Sequence, residues 1–385
     1  MREIYFDNAA TTRVRPEVIE LMDRVMGEDY GNPSARHIIG MKAENHIRTA
    51  AQQIAASLKV KPGEIVFNSG GTEGNNTAVI GTFLARKGYG KHIISTNIEH
   101  AAVYKPLEFL QDMGCDITII GTDSKGHIDK EGLIAAIRPD TILVSAMWVN
   151  NEIGAVEDIT EIGRLIKEKN SRTYFHTDAI QAFGKLTLRP REANVDMLTV
   201  SSHKFHGPKG AGFMYINEKA HVSPLIFGGG QQKDRRSGTE NVPGIAGTGL
   251  AAELYRREHD EIIGRMLQIK NRLTDRLNAM DGVYVNSERG ELSAPHIVSA
   301  SFEGVRAEVL LHALEEKGIY VSSGSACSSN HPAISGTLKA IGVRKDLLDS
   351  TLRFSFGIYN NEEEADIAAD CITELLPVLR RFRRY

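Results

Sequence analysis

Between residues 64 and 201 the chain alternates short β-rich runs with longer helical stretches, and this alternation limits the fold more than any other feature. The runs EIVF, HIIST, ITII, TILVSAM, TYFHT and MLTVSS are each separated by a longer segment. Strands joined through helices return to the same end of a sheet, so the pattern predicts an α/β fold with a mainly parallel sheet covered by helices. Val18, Leu21, Met22 and Val25, and then Ala43, Ile47, Ala50, Ile54 and Leu58, repeat at helical spacing and predict two amphipathic helices against that core. Beyond Val242 a long helical stretch leads into HIVSASF, a helix near 306–317, YVSSG, TLRFSF and a last helix from about Glu362. That order predicts a smaller C-terminal α/β domain with a partly antiparallel sheet. The boundary is expected inside the long helical stretch, giving a large domain at 16–255 and a small one from 1–15 and 256–385.

Charge and cysteine content exclude several function classes. With 46 basic and 49 acidic residues dispersed along 385, no block is suited to gripping a nucleic-acid backbone. The terminal cluster of Arg380, Arg381, Arg383 and Arg384 reads as a solvated helix end. The opening MREIYFDNAATTR lacks the apolar core of a signal peptide, and no run approaches a membrane span. Cys115, Cys327 and Cys371 fit no zinc pattern and no disulfide framework, so a reducing cytoplasm is the expected home.

In open parallel sheets ligands collect beyond the carboxyl ends of the strands, and three loops there carry unusual content. Residues 68–76, NSGGTEGNN, place Gly70, Gly71 and Thr72 at a strand-to-helix turn. Such a turn either binds a phosphate through exposed N–H groups or is a tight turn with a Thr cap. Asp178 in TDAIQAFGK either pairs with a protonated pyridine nitrogen or caps a helix. Lys204 in SSHKFHGPKG either reaches inward for imine chemistry or is an exposed surface lysine. Together the loops supply phosphate donors, a pyridinium partner and an imine lysine, the parts of a pyridoxal 5′-phosphate (PLP) site acting on an amino acid.

With FDNAATT at 6–12, GNPSARH at 31–37, IEH at 98–100, NNEIG at 150–154, RRSGTEN and SSGSACSS, the chain resembles the cysteine desulfurases, class V aminotransferases among the fold-type I PLP enzymes. The resemblance runs nearly end to end. It implies a large domain with a mainly parallel seven-stranded sheet, a smaller C-terminal α/β domain and a homodimer. It further implies Lys204 as the Schiff-base lysine, Asp178 as partner of the pyridinium nitrogen, Gln181 as donor to the ring hydroxyl oxygen and His100 stacked on the ring. Gly71, Thr72, Ser201 and His203 would hold the phosphate, with Thr239 from the other subunit. Asn151 and Arg353 would bind near the ring hydroxyl and the substrate carboxylate. Residue by residue the plain alternatives stay open: His100 as a cap or core histidine, Arg353 as an ordinary strand arginine, and His203 with His206 as a metal pair, for which no further ligand cluster is apparent.

Cys327 decides the reaction. It sits in a run of small polar residues, 322–330, that favours a mobile exposed loop, whereas Cys371 at helical spacing with Ile367 and Leu375, and Cys115 at a strand entrance, read as passive buried thiols. The resemblance implies conversion of L-cysteine to L-alanine, with the sulfur carried on Cys327 as a persulfide. A sulfur-acceptor protein would take it, an iron–sulfur scaffold or a tRNA-thiolation enzyme. No direct nucleic-acid or membrane contact is expected. Rival activities are a selenocysteine lyase, another class V aminotransferase, or a PLP-free scaffold on the same fold. The chain stops at Tyr385 without the C-terminal extension that helps some relatives dock a scaffold, so the acceptor stays open.

Overall fold

The computed structural model describes residues 3–323 and 335–382. Its strands are β1 (Ile4–Tyr5), β2 (Ile65–Asn68), β3 (His92–Thr96), β4 (Asp116–Ile120), β5 (Thr141–Ser145), β6 (Tyr174–Asp178), β7 (Met197–Ser201), β8 (Gly212–Ile216), β9 (Val283–Val285), β10 (Ile297–Phe302), β11 (Ile319–Tyr320), β12 (Ser322–Ser323) and β13 (Thr351–Ser355). Its helices are α1 (Pro16–Gly27), α2 (Ile38–Leu58), α3 (Gly71–Arg86), α4 (Ala101–Asp112), α5 (Lys130–Ala136), α6 (Ile159–Lys169), α7 (Val242–Arg257), α8 (His259–Asn278), α9 (Ala307–Glu315), α10 (Gly336–Ala340) and α11 (Glu362–Leu379).

The expected sheet is present: seven strands in the order β2-β8-β7-β6-β5-β3-β4, parallel throughout except at β8. Strands β3, β5, β7 and β8 are buried along their whole length, as helices on both faces require. β8 is the strand that the alternation does not announce. Residues 202–211 contain no crossover helix, so the chain can only return antiparallel to β7. Because β8 opposes both neighbours, β2 again points the same way as β7, and the loops after β2, β3, β5, β6 and β7 meet at one edge. A second, antiparallel sheet runs β12-β13-β10-β9, and the N-terminal β1 pairs in parallel with β11. Among the described residues, no helix is long and apolar enough to cross a membrane.

Two expectations are corrected. The long helical stretch after Val242 is two helices, broken at Glu258. Neither glycine nor proline marks the break. The Glu258 carboxylate is instead held by both terminal nitrogens of the buried Arg15, at 3.1 and 2.7 Å, a contact across 243 residues. Arg380 is not merely solvated at a helix end: its guanidinium donates to the main-chain oxygens of Asp281 and Glu303.

Helix α7 packs closely on both amphipathic N-terminal helices because it presents glycines to them. A Cβ on Gly247 would lie 2.9 Å from Met22 Sδ in α1, and one on Gly249 would lie 2.5 Å from Ala50 Cα in α2. Alanine favours a helix interior over glycine by about 1 kcal/mol. Gly249→Ala is nevertheless expected to lose about 1–3 kcal/mol by overpacking, measured by denaturant unfolding. Unchanged or increased stability would contradict the close approach.

Candidate active site

The strand-end loops enclose a cavity of ≈ 290 Å³. Lys204 enters it from the turn after β7, and its Nζ donates to the main-chain oxygens of Ala9 and Ala10, both at 2.7 Å. The FDNAATT segment therefore bears on the site through its backbone. Beneath Lys204, the buried Lys185 donates from Nζ to the main-chain oxygen of Lys204. Burial, with the Lys204 charge beside it, lowers the Lys185 amine from its ordinary value to about 7.

Asp178 ends β6 and is buried, with Oδ1 accepting from Ile180 N at 3.0 Å and Oδ2 from Asn75 Nδ2 at 2.7 Å. It caps no helix. Both bonds come from neutral donors, and burial raises its pKa, opposed by those two bonds and by the more distant His100 and Lys204. Nearby Glu99 is wholly buried and pushed up to about 8, so its carboxyl is mostly protonated at neutral pH. One oxygen accepts from Thr96 Oγ1 and Met147 N.

The glycine-rich turn opens α3 with Gly70 at the N-cap, φ +140°, so Thr72 is not the cap. Thr72 lies in the first turn and lines the cavity with Gly71, Ser201 and His203. A Cβ on Gly71 would lie 2.2 Å from Ile180 Cδ1, which ties this turn to the loop after β6. Burial and the charges of Lys204, Lys209 and Lys185 lower His203 to about 4, so it is neutral, and its Nδ1 faces Thr11 Oγ1 at 3.2 Å. His206 points elsewhere: it bonds to Arg13 O and lies flat on Tyr255, so the two histidines form no pair. Among the described residues no cluster suited to a metal ion is found.

His100 realises one of its plain alternatives and still faces the cavity. It is the N-cap of α4, with Nδ1 accepting from Ala102 N, which leaves the ring proton on Nε2. Asn151 and Gln181 line the same space. Arg353, on β13, is buried there, donating from Nη1 to Asn151 O at 2.8 Å and from Nη2 to Asp7 Oδ1 at 3.0 Å. Thus Gly71, Thr72, His100, Asn151, Asp178, Gln181, Ser201, His203, Lys204 and Arg353 converge. Thr239 is exposed and does not line the cavity. Cys327 lies outside the described residues. Cys115 is buried, its thiol pushed up to about 11, while Cys371 is only half-buried.

The chain matches the Aminotransferase class-V family over residues 4–367. It belongs to the class-V aminotransferase family. A putative cysteine desulfurase IscS 1 of Bacillus subtilis is 43% identical over 378 residues, covering 98% of this chain and 99% of the relative. The cysteine desulfurase IscS of Dictyoglomus turgidum is 40% identical over 385 residues, covering 100% and 97%. The solved structure of a NifS-like protein superposes with a TM-score of 0.93 at 36% identity, over 98% of this chain and 100% of that one.

Three contributors to this site lie within quoted motifs yet receive no role from the sequence. Ala9 and Ala10 meet Lys204 through carbonyls, which no side chain advertises. Lys185 does leave a signal, a lone charge in the apolar run AFGKL. Because the folded Lys185 binds fewer protons than the unfolded one above about pH 7, stability should rise with pH from about 7 towards its ordinary titration range. Lys185→Met should flatten that rise between pH 7 and 9.5 in denaturant titrations. A slope equal to wild type would contradict the buried placement.

Proposed function

We propose that this class-V enzyme is a PLP-dependent cysteine desulfurase that converts L-cysteine to L-alanine and carries the sulfur on Cys327. The observation that supports it most is one cavity holding a lysine amine and a buried carboxylate whose hydrogen bonds come only from neutral donors. Such a carboxylate suits a cationic ring N–H.

The donor set fits PLP. Lys204 Nζ would hold it covalently, and Asp178 would take the pyridinium nitrogen. His100 would lie on the ring, with Gln181 and Asn151 at the ring hydroxyl. The N-terminus of α3, with Gly71, Thr72, Ser201 and His203, would receive the phosphate, joined by Thr239 of a second subunit in a homodimer. When bound, the ring supplies an electron sink for charge developing at the substrate Cα.

The chain's own groups then divide the work. Arg353 binds the substrate carboxylate as a planar fork, its orientation set by Asp7 and Asn151 O. The Lys204 amine takes the Cα proton. Cys327, as thiolate, attacks the substrate sulfur; an S–S bond forms, the C–S bond breaks, its electron pair stays with carbon, and protonation at Cβ with return of a proton from Lys204 to Cα gives alanine. His100 Nε2–H moves a proton at the reacting end. The persulfide is then passed to an acceptor protein, an iron–sulfur scaffold or a tRNA-thiolation enzyme, in the cytoplasm. On this division residues 16–255 hold the cofactor, and 1–15 with 256–385 bring Arg353 and Cys327.

Lys204→Ala should lose the visible absorption of the PLP-loaded enzyme; an unchanged spectrum would overturn the lysine assignment. Cys327→Ser should keep that absorption and form no persulfide, and sulfur release at the wild-type rate would overturn the nucleophile assignment. Arg353→Lys should raise KM for L-cysteine about tenfold or more, by loss of bidentate geometry, with a smaller effect on kcat. An unchanged KM would remove Arg353 from the substrate site.

A further inference from the structure

Gln181 has its amide in a defined orientation, and the reason lies in a residue outside the motifs. One end of the amide faces the main-chain oxygen of Ala9 at 2.9 Å, and the other faces His296 Nε2 at 3.1 Å. A carbonyl oxygen only accepts, so the NH₂ group must be the end at Ala9. The amide oxygen therefore faces His296, and His296 must present an N–H at Nε2. Nδ1 of His296 is buried and has no hydrogen-bond partner among the described residues. The tautomer with a bare Nδ1 avoids burying an unpaired donor there, which agrees with the proton on Nε2.

We propose that His296 is a positioning residue that locks the Gln181 amide, so that one N–H is held by Ala9 O and the second is presented to the cavity. His296 immediately precedes β10, and its own main-chain oxygen accepts from Phe356 N at 2.9 Å, so the second sheet fixes it. It reaches across 115 residues of sequence to the loop after β6. Without its N–H, the amide oxygen loses its partner and only the Ala9 contact remains, so the amide plane can swing about that bond and the second N–H loses its fixed direction into the cavity. The setting keeps the ring neutral: His296 is wholly buried, with Lys185, Lys270, Arg353 and Lys204 around it, and each opposes a further proton. Burial and those charges both lower its pKa well below the ordinary histidine value.

The inference rests on the PLP assignment, in which the presented N–H meets the ring hydroxyl oxygen. Losing that donor concentrates negative charge on the oxygen, so the neighbouring nitrogen shared with Lys204 holds its proton to higher pH. The test is the midpoint of the pH titration of visible absorption in PLP-loaded wild type, His296→Phe and His296→Gln, with melting temperature measured alongside. Gln carries an amide nitrogen close to the histidine Nε2 position, whereas Phe has the ring shape and no donor. His296→Phe should shift the midpoint upward by about one pH unit, and His296→Gln should return it towards wild type. In a Gln181→Met background, His296→Phe should add no further shift. If His296→Phe does not fold, His296→Met carries the same comparison.

An unchanged midpoint in the folded, PLP-loaded Phe variant overturns the inference. So does a full shift that persists in the Gln181→Met background, since His296 would then act by another route. Failure of wild type to take up PLP overturns the cofactor assignment together with this inference, and is distinguished from the other results before any variant is made.

Discussion

The site is organised around the Lys204 amine, held against two main-chain carbonyls. Its donations to Ala9 and Ala10 bind the N-terminal segment to the end of β7, and the Ala9 oxygen also accepts from Gln181. Ala9 is itself placed from the other side, by donation of its N–H to Ser355 Oγ on β13. The main chain of one residue, Ala9, thereby joins the carboxyl edge of the large sheet to the second sheet, where Arg353 lies two residues from Ser355 on the same strand. The FDNAATT segment serves the cavity through the main-chain oxygens of Ala9 and Ala10 and through the side chains of Asp7, on Arg353, and Thr11, beside His203.

Around that junction the electrostatics are arranged by burial more than by ion pairs. Asp178 lies at the cavity with neutral donors on both oxygens, while the neighbouring Glu99 is pushed far enough up to hold a proton near neutrality. A second full negative charge beside Asp178 would compete for any cationic ring. On the opposite side Lys185, His203 and His296 are all shifted towards their neutral forms by burial and by each other's neighbours. The arrangement keeps these side chains uncharged around the cavity and leaves the Asp7–Arg353 ion pair at its edge.

How much of this was legible in the sequence follows from what each residue contributes. The parallel architecture and the three strand-end loops follow from alternation and punctuation, and side chains such as Lys204, Asp178 and Gln181 are conspicuous because of where those loops fall. Of the two readings open for the glycine-rich turn, the Thr cap falls away because Gly70 takes that position with a backbone angle that only glycine adopts readily. Glu258, where the helices part, is bonded by Arg15, and the Gln181 amide faces His296, both partners distant in sequence with no local sign. Strand β8 was hidden because the functional loop before it replaces the helix that alternation leads one to expect. Short-range pattern finds chemistry at strand ends; it does not find the long-range bonds that orient it.

The central claim is that this cavity and Cys327 together remove sulfur from L-cysteine. It is tested most directly by mixing PLP-loaded protein with an equimolar amount of L-cysteine, quenching within one turnover, and measuring alanine together with the mass of the Cys327 peptide. The account predicts alanine in step with addition of one sulfur atom to Cys327, with Cys115 and Cys371 unmodified. Alanine without sulfur on Cys327, or no alanine at all, would contradict it.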